Sequence, residues 1–156
     1  MTAEADVLVS SVMAASRALV GVAARSLAAA HDVVTLPQYR LLVILSGHGP
    51  TTLTGLAEQL AVAPSTALRM VDRLVDVALV AREANPVNRR EVVISLSPSG
   101  TDLVRTVTER RRAELERILA VMPMRERVRT ANALRAFAAA AGEPVGPRSS
   151  AEGLGW

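Results

Sequence analysis

The segment from Thr52 to Ser97 leaves the chain the fewest choices of fold. Thr52 is a capping residue at the head of a short helical pattern, with Leu53, Leu56, Ala57 and Leu60 on one side. Ala61-Val62-Ala63 interrupts that pattern. Pro64 stands where a second helix begins, because the first turn has no amide bond for it to break. From Pro64 to about Val77, the residues Ala67, Met70, Val71, Leu74 and Val75 recur at helical spacing and form a side to be buried. Leu79–Glu83 and Glu91–Leu96 read as strands, the second carrying the β-branched run Val92-Val93-Ile94. Between them, residues 84–90 form a turn-rich loop that ends in Arg89 and Arg90. Two helices on a tight turn followed by a hairpin suit a rigid body that lays one helix and one loop against another molecule.

The outward side of the second helix of this pair holds Ser65, Thr66, Leu68, Arg69, Asp72, Arg73 and Asp76. In a helix-turn-helix, the N-terminal residues of the second helix meet base edges in the major groove. Ser65 and Thr66 are short donors, Arg69 can fork onto guanine, and Leu68 can meet a thymine methyl. Arg73, near the far end, suits a phosphate or an ion pair with Asp76. Arg89 and Arg90 can reach a narrow minor groove. A polar helix face is also what solvent alone demands, and charge does not separate the two readings. From Thr51 to Pro98, five arginines meet five acids. The positive excess lies from Ser99 to Ala141, where nine arginines meet five acids.

Long helical patterns flank the module. From about Ala5 to Ala30, Leu8, Val12, Ala15, Leu19 and Val22 form an a/d stripe that seeks a partner helix, with Gly21 as a weak point. Thr35-Leu36-Pro37-Gln38 reads as a capping box that opens the next helix, whose buried side holds Leu41, Leu42, Ile44 and Leu45. Gly47-His48-Gly49-Pro50 ends it. Ser97-Pro98 caps a helix running to about Val121, with Val104, Val107, Arg111, Leu115, Ile118 and Met122 in one stripe. Pro123 breaks it, and a last helix covers about Met124–Ala141, with Val128, Leu134, Phe137 and Ala138 on one side. The tail from Gly142 to Trp156 is rich in glycine, proline and serine. The organisation expected is thus 1–34 as an N-terminal pairing helix, 35–97 as the reading module, 98–141 as C-terminal pairing helices, and 142–156 as a flexible tail. The fold class expected is mainly α with a small β-hairpin wing.

Composition narrows the chemistry. With no cysteine, thiolate metal sites, cysteine nucleophiles and thiol redox sensing are excluded. His31 and His48 lack metal-ligand spacing and sit at helix ends, where a histidine meets carbonyls. No serine has a nucleophile-elbow or triad context. The expectation is therefore a non-enzyme without metal or cofactor. Aromatic residues make up 2% of the chain, too few for stacking platforms on single strands. All 18 basic residues are arginine and the formal net charge is +3. The start MTAEAD has no basic n-region, and no run approaches the ~20 apolar residues of a membrane span, so a cytoplasmic protein without a membrane partner is expected.

TLPQYRLL (35–42), LAEQLAVAPSTALRMVDRLVDVALVAR (56–82) and NPVNRREVVISLSPSG (85–100), together with the long flanking helices, resemble the multiple-antibiotic-resistance regulator (MarR) family over about Asp6 to Ala141. The resemblance implies a winged helix-turn-helix homodimer that binds pseudo-palindromic double-stranded operators, usually as a repressor. It also implies release by a small aromatic or phenolic compound in many members. By the same resemblance, Ser65, Thr66, Leu68 and Arg69 fall at recognition-helix contact positions and Arg90 at the wing-tip arginine. The chain departs from the family pattern at Asn88, where an aspartate usually stiffens the wing, and at Ala63, where a capping serine is common. It departs also at Leu68, for a usual threonine, and at Gly55, for a usual acid. The family's ligand pocket implies Arg17, Tyr39 and Arg111 as candidates, an arginine for a carboxylate and a tyrosine to stack or donate. Tyr39 can equally be an ordinary core residue and Arg111 an intersubunit ion pair. The competing function is a winged-helix docking or dimerisation module without operator binding, which would lack the salt-dependent duplex affinity of a reader.

Overall fold

A computed structural model describes residues 3–30, 33–85, 88 and 91–142 of the chain. The elements in order are α1 (Ala3–Leu27) with a 3₁₀ turn (Ala28–Ala30), α2 (Leu36–His48), β1 (Thr51–Thr52), α3 (Leu53–Leu60), α4 (Pro64–Asp76), β2 (Val80–Ala84), β3 (Val92–Leu96), α5 (Pro98–Ala120) and α6 (Met124–Ala140).

Local chemistry sets the starts of these helices. At α2 the capping box forms in full: the Thr35 amide donates to Gln38 Oε1 at 2.8 Å, and the Gln38 amide donates to Thr35 Oγ1 at 3.5 Å. At α3 the Gly55 amide donates to Thr52 Oγ1 at 3.2 Å, and at α5 the Gly100 amide donates to Ser97 Oγ at 2.9 Å. Helix α4 begins on Ala63 with no side-chain cap, and Pro64 alone marks its start.

The wing is a three-stranded antiparallel sheet in the order β1-β3-β2, where two strands were expected from the sequence. The added strand pairs Thr51 with Ile94 and Thr52 with Val93. Two residues are too short for a periodic signal. Thr52 thus caps α3 and holds the edge of the sheet at once. On the other side of β3, Val80 faces Leu96 and Ala84 faces Val92.

The core fills the space between α2, α3, α4, the sheet and the first half of α5. Leu41, Leu42, Leu56, Leu74, Ile94, Val71 and Val107 are fully buried there. Burying each side chain of this size contributes about 1.5–3 kcal/mol. The join between wing and α5 is tight. Ser97 Oγ donates to the Ala78 carbonyl at 2.7 Å, and a Cβ on Gly100 would lie 2.1 Å from the Leu79 carbonyl oxygen. Only glycine allows that approach, so the SPSG sequence at 97–100 is a fitted corner. Ala78 itself sits at φ 57°, a left-handed turn that an alanine adopts at a cost of about 1–2 kcal/mol.

The flanking helices are different. Of α1, only the C-terminal third (Val22, Ala23, Ser26, Leu27) is buried, while Val7, Leu8, Val9, Met13 and Val20 are exposed. No residue of α6 is buried, and Val128, Leu134 and Phe137 face outward. One expectation needs correction. Helix α1 is long and apolar enough to cross a membrane by length and composition, with a mean hydropathy of 1.8 over its most apolar stretch. Serines and alanines interspersed through it hide that property from a search for an unbroken apolar run.

Candidate nucleic-acid interface

Helix α4 has one side locked and one side presented. Ala67, Val71 and Leu74 are buried in the core, and Met70 and Val75 are half-buried. Ser65, Leu68, Arg69, Asp72, Arg73 and Asp76 are exposed, and Thr66 is half-buried at the edge. These three buried and two half-buried side chains fix the rotation of the helix, so the outward set is held as a rigid face. Leu68 is 42% exposed, an apolar side chain on this face with no core to enter.

The charges on this face are arranged more tellingly than their sum. Asp72 pairs with Arg82 of β2, which ties the recognition helix to the wing. An exposed pair of this kind contributes at most ~1 kcal/mol, so its use is positional. It also neutralises one of the acids beside Arg69 and Arg73. Among the described residues Arg69 touches only Thr66 Oγ1, at 3.4 Å, and Arg73 has no ion-pair partner. The expected alternative of an Arg73–Asp76 pair does not form. Two guanidinium groups therefore stand on the helix without a carboxylate.

At the base of the wing loop, Asn85 Nδ2 donates to Glu91 Oε2 at 2.7 Å and the Asn85 amide donates to the Glu91 carbonyl at 2.9 Å. The Glu91 amide donates to the Asn88 carbonyl at 2.9 Å. These bonds close the loop independently of an aspartate at 88. Side-chain pairing across a loop leaves no periodic trace in sequence, which is why Asn85 and Glu91 were missed. Arg89 and Arg90 lie outside the described residues, as does His31. His48 Nδ1 lies 3.2 Å from the Ile44 carbonyl oxygen, the helix-end contact expected of it.

Of the residues expected to hold a ligand, two come together. Tyr39 is buried and hydrogen-bonds through its side chain with Thr108, and Arg111 is near enough to act on it electrostatically. Burial pushes the Tyr39 phenol above its usual range, opposed by the Thr108 bond and the Arg111 charge. Burial lowers the Arg111 value, opposed by Tyr39. Arg17 is exposed on α1. Thr108 was not anticipated, because its partner lies on a different helix. An open cavity of 390 Å³ lies between the end of α1 and α5, lined by Val33, Leu79, Asp102, Thr106 and Arg110 among others.

The chain and its fold match known proteins. The MarR family model matches residues 34–92. The chain is 36% identical over 87 residues to an uncharacterized HTH-type transcriptional regulator of Mycobacterium leprae, a match covering 55% of this chain and 61% of that relative's length. It is 32% identical over 108 residues to the HTH-type transcriptional repressor MdtR of Bacillus subtilis, covering 69% of this chain and 70% of the relative. The crystal structure of RV1404 from Mycobacterium tuberculosis superposes with a TM-score of 0.84 at 45% identity, covering 94% of this chain and 100% of that one. With the α4 face, the three-stranded wing and these matches taken together, the chain belongs to the MarR family.

Proposed function

We propose that the protein is a sequence-specific, double-stranded DNA-binding transcriptional regulator, acting as a homodimer and as a repressor. The observation that carries this reading is the α4 face. Its inward side chains are fixed in a closed core, and its outward side offers Ser65, Thr66, Leu68 and two arginines without carboxylate partners among the described residues. Ser65, Thr66, Leu68 and Arg69 read bases, and Arg73, Arg89 and Arg90 hold the backbone and minor groove. A second copy, paired through α1, α5 and α6, sets two such helices about 34 Å apart on a near-palindrome.

The exposed stripe of α1 supports pairing with protein over insertion in lipid. Arg17 falls inside the helix, and an arginine at bilayer depth costs about 2.5–3.5 kcal/mol or more. The last turns of α1 pack on α5, where Arg25 pairs with Glu114. The protein works in the cytoplasm on this reading, where its operator lies.

The decisive experiment is a mobility-shift and footprint titration of the protein on the promoter beside its own gene, over a series of salt concentrations. A reader protects a near-palindromic site and loses affinity steeply as salt rises. A winged-helix docking module protects none and shows no slope.

A small aromatic carboxylate is the effector this reading carries. The Tyr39–Thr108–Arg111 cluster, between α2 and α5, supplies a phenol, a hydroxyl and a cation, and Arg17 stays exposed on α1, outside it. Such a ligand releases the operator. Salicylate-like compounds at millimolar concentration leaving the shift unchanged would count against it.

A further inference from the structure

We propose that Arg40 holds a DNA phosphate outside the recognition helix, making the N-terminal part of α2 a second backbone clamp in each half-site; this rests on the DNA-binding reading above. Arg40 is exposed on α2, on the opposite side of the helix from the buried Leu42. It has no ion-pair or hydrogen-bond partner among the described residues. The surrounding sequence offers none either: from Val33 to Ala57 there is no aspartate or glutamate. By contrast, Arg25, Arg82, Arg105 and Arg112 each meet a carboxylate.

The position of this cation matters more than its exposure. Arg40 lines an open cavity of 470 Å³ together with Leu36 and Pro37 of α2 and Thr66 and Met70 of α4. Thr66 therefore belongs to two surfaces, the recognition face and this groove. A duplex seated on the N-terminal end of α4 runs its sugar–phosphate backbone past Thr66 and over the groove. The groove's chemistry matches that occupant. Leu36, Pro37 and Met70 offer an apolar bed for deoxyribose edges, and the Arg40 guanidinium offers a fork for phosphate oxygens. A phosphate contact positions the protein without reading sequence.

The test compares wild type, Arg40→Ala, Arg40→Lys and Arg105→Ala on operator and random duplexes over a salt series. Arg105 is exposed in the first half of α5, where it pairs with Asp102 and Glu109, so it controls for loss of one charge elsewhere. Arg40→Ala is expected to weaken both duplexes alike and to lower the slope of log affinity against log salt by about one per protomer, about two per dimer. Arg40→Lys should keep most of the slope, since a point charge still neutralises a phosphate. If Arg40→Ala lowers the slope no more than Arg105→Ala while wild type binds, the proposal is overturned and the DNA reading stands. If Arg40→Ala leaves DNA binding intact but abolishes the response to a salicylate-like anion, the groove takes a small ligand and the proposal is again overturned. If wild type shows no salt-dependent duplex binding, the functional reading falls and this clamp falls with it.

Discussion

The reading module and the flanking helices are both apolar-striped, yet they resolve that hydrophobicity in opposite ways. In the module, Leu41, Leu42, Leu56, Leu74 and Ile94 are shielded by elements of the same chain. On α1, the end of α5, and α6, residues such as Leu8, Met13, Ile118, Val128 and Phe137 remain exposed. A helix stripe is an instruction to pack, and it is silent about whether the partner is in the same chain. The first region covers its stripe within the chain, and the second leaves its stripe uncovered, where the proposed dimer would close.

The widest separation between the two regions should come from breaking the second. Leu134→Asp with Phe137→Asp places charges on the exposed side of α6. Sedimentation should then report monomers, with the module's thermal transition retained, and operator affinity should fall by about 10²–10⁴-fold as the linked half-sites are lost. A dimer that survives this change would mean the exposed stripe is not the pairing surface.

The mirror experiment empties the first region. Leu74 is fully buried between the recognition helix and the core. Leu74→Ala should cost about 2–5 kcal/mol in denaturant unfolding. A loss under 1 kcal/mol would contradict the close packing that fixes the rotation of α4.

Arg69→Ala sits between these extremes, because it touches neither core nor pairing stripe. It should reduce operator affinity by about 1–3 kcal/mol with unfolding midpoint unchanged. Equal weakening on random DNA would reassign Arg69 to a phosphate.

Ala63→Ser should stabilise the module by ~1 kcal/mol, by supplying the hydroxyl that the start of α4 lacks. Calorimetry reads this directly, and no gain would show that the α4 amides are satisfied another way. The smallest effect at neutral pH concerns Tyr39. Folding favours its neutral phenol, so this contribution is full below the ordinary value of 10.0 and is lost as pH rises through the higher folded value. Tyr39→Phe should flatten that alkaline decline in stability. The chain has one tyrosine, so tyrosinate absorbance follows this group alone. A midpoint at or below 10 would contradict its burial.

Much of the candidate interface was legible because its signals are local. The Thr35–Gln38 box, the Thr52 and Ser97 caps, the Pro64 start and the inward set Ala67, Val71 and Leu74 all follow from spacings within one or two turns. What failed to show was non-local or carried by a single residue. The β1 strand needs β3 to exist, and the Ala78 left-handed turn lacks the glycine that would have announced it.

By itself, the sequence determined the order of helices and strands and which side of each turns inward. Caps, breakers and periodicity act on neighbours along the chain, and no distant residue is needed to read them. Only the tertiary structure decided which cations stand alone and which are tied. Arg82 reaches Asp72 across ten positions, and Asn85 and Glu91 close the wing base. Tyr39 finds Thr108 on another helix, and Arg40 comes to share a groove with Thr66. Ion pairs and cavities depend on distances through space, and chain order leaves those open until the core has packed.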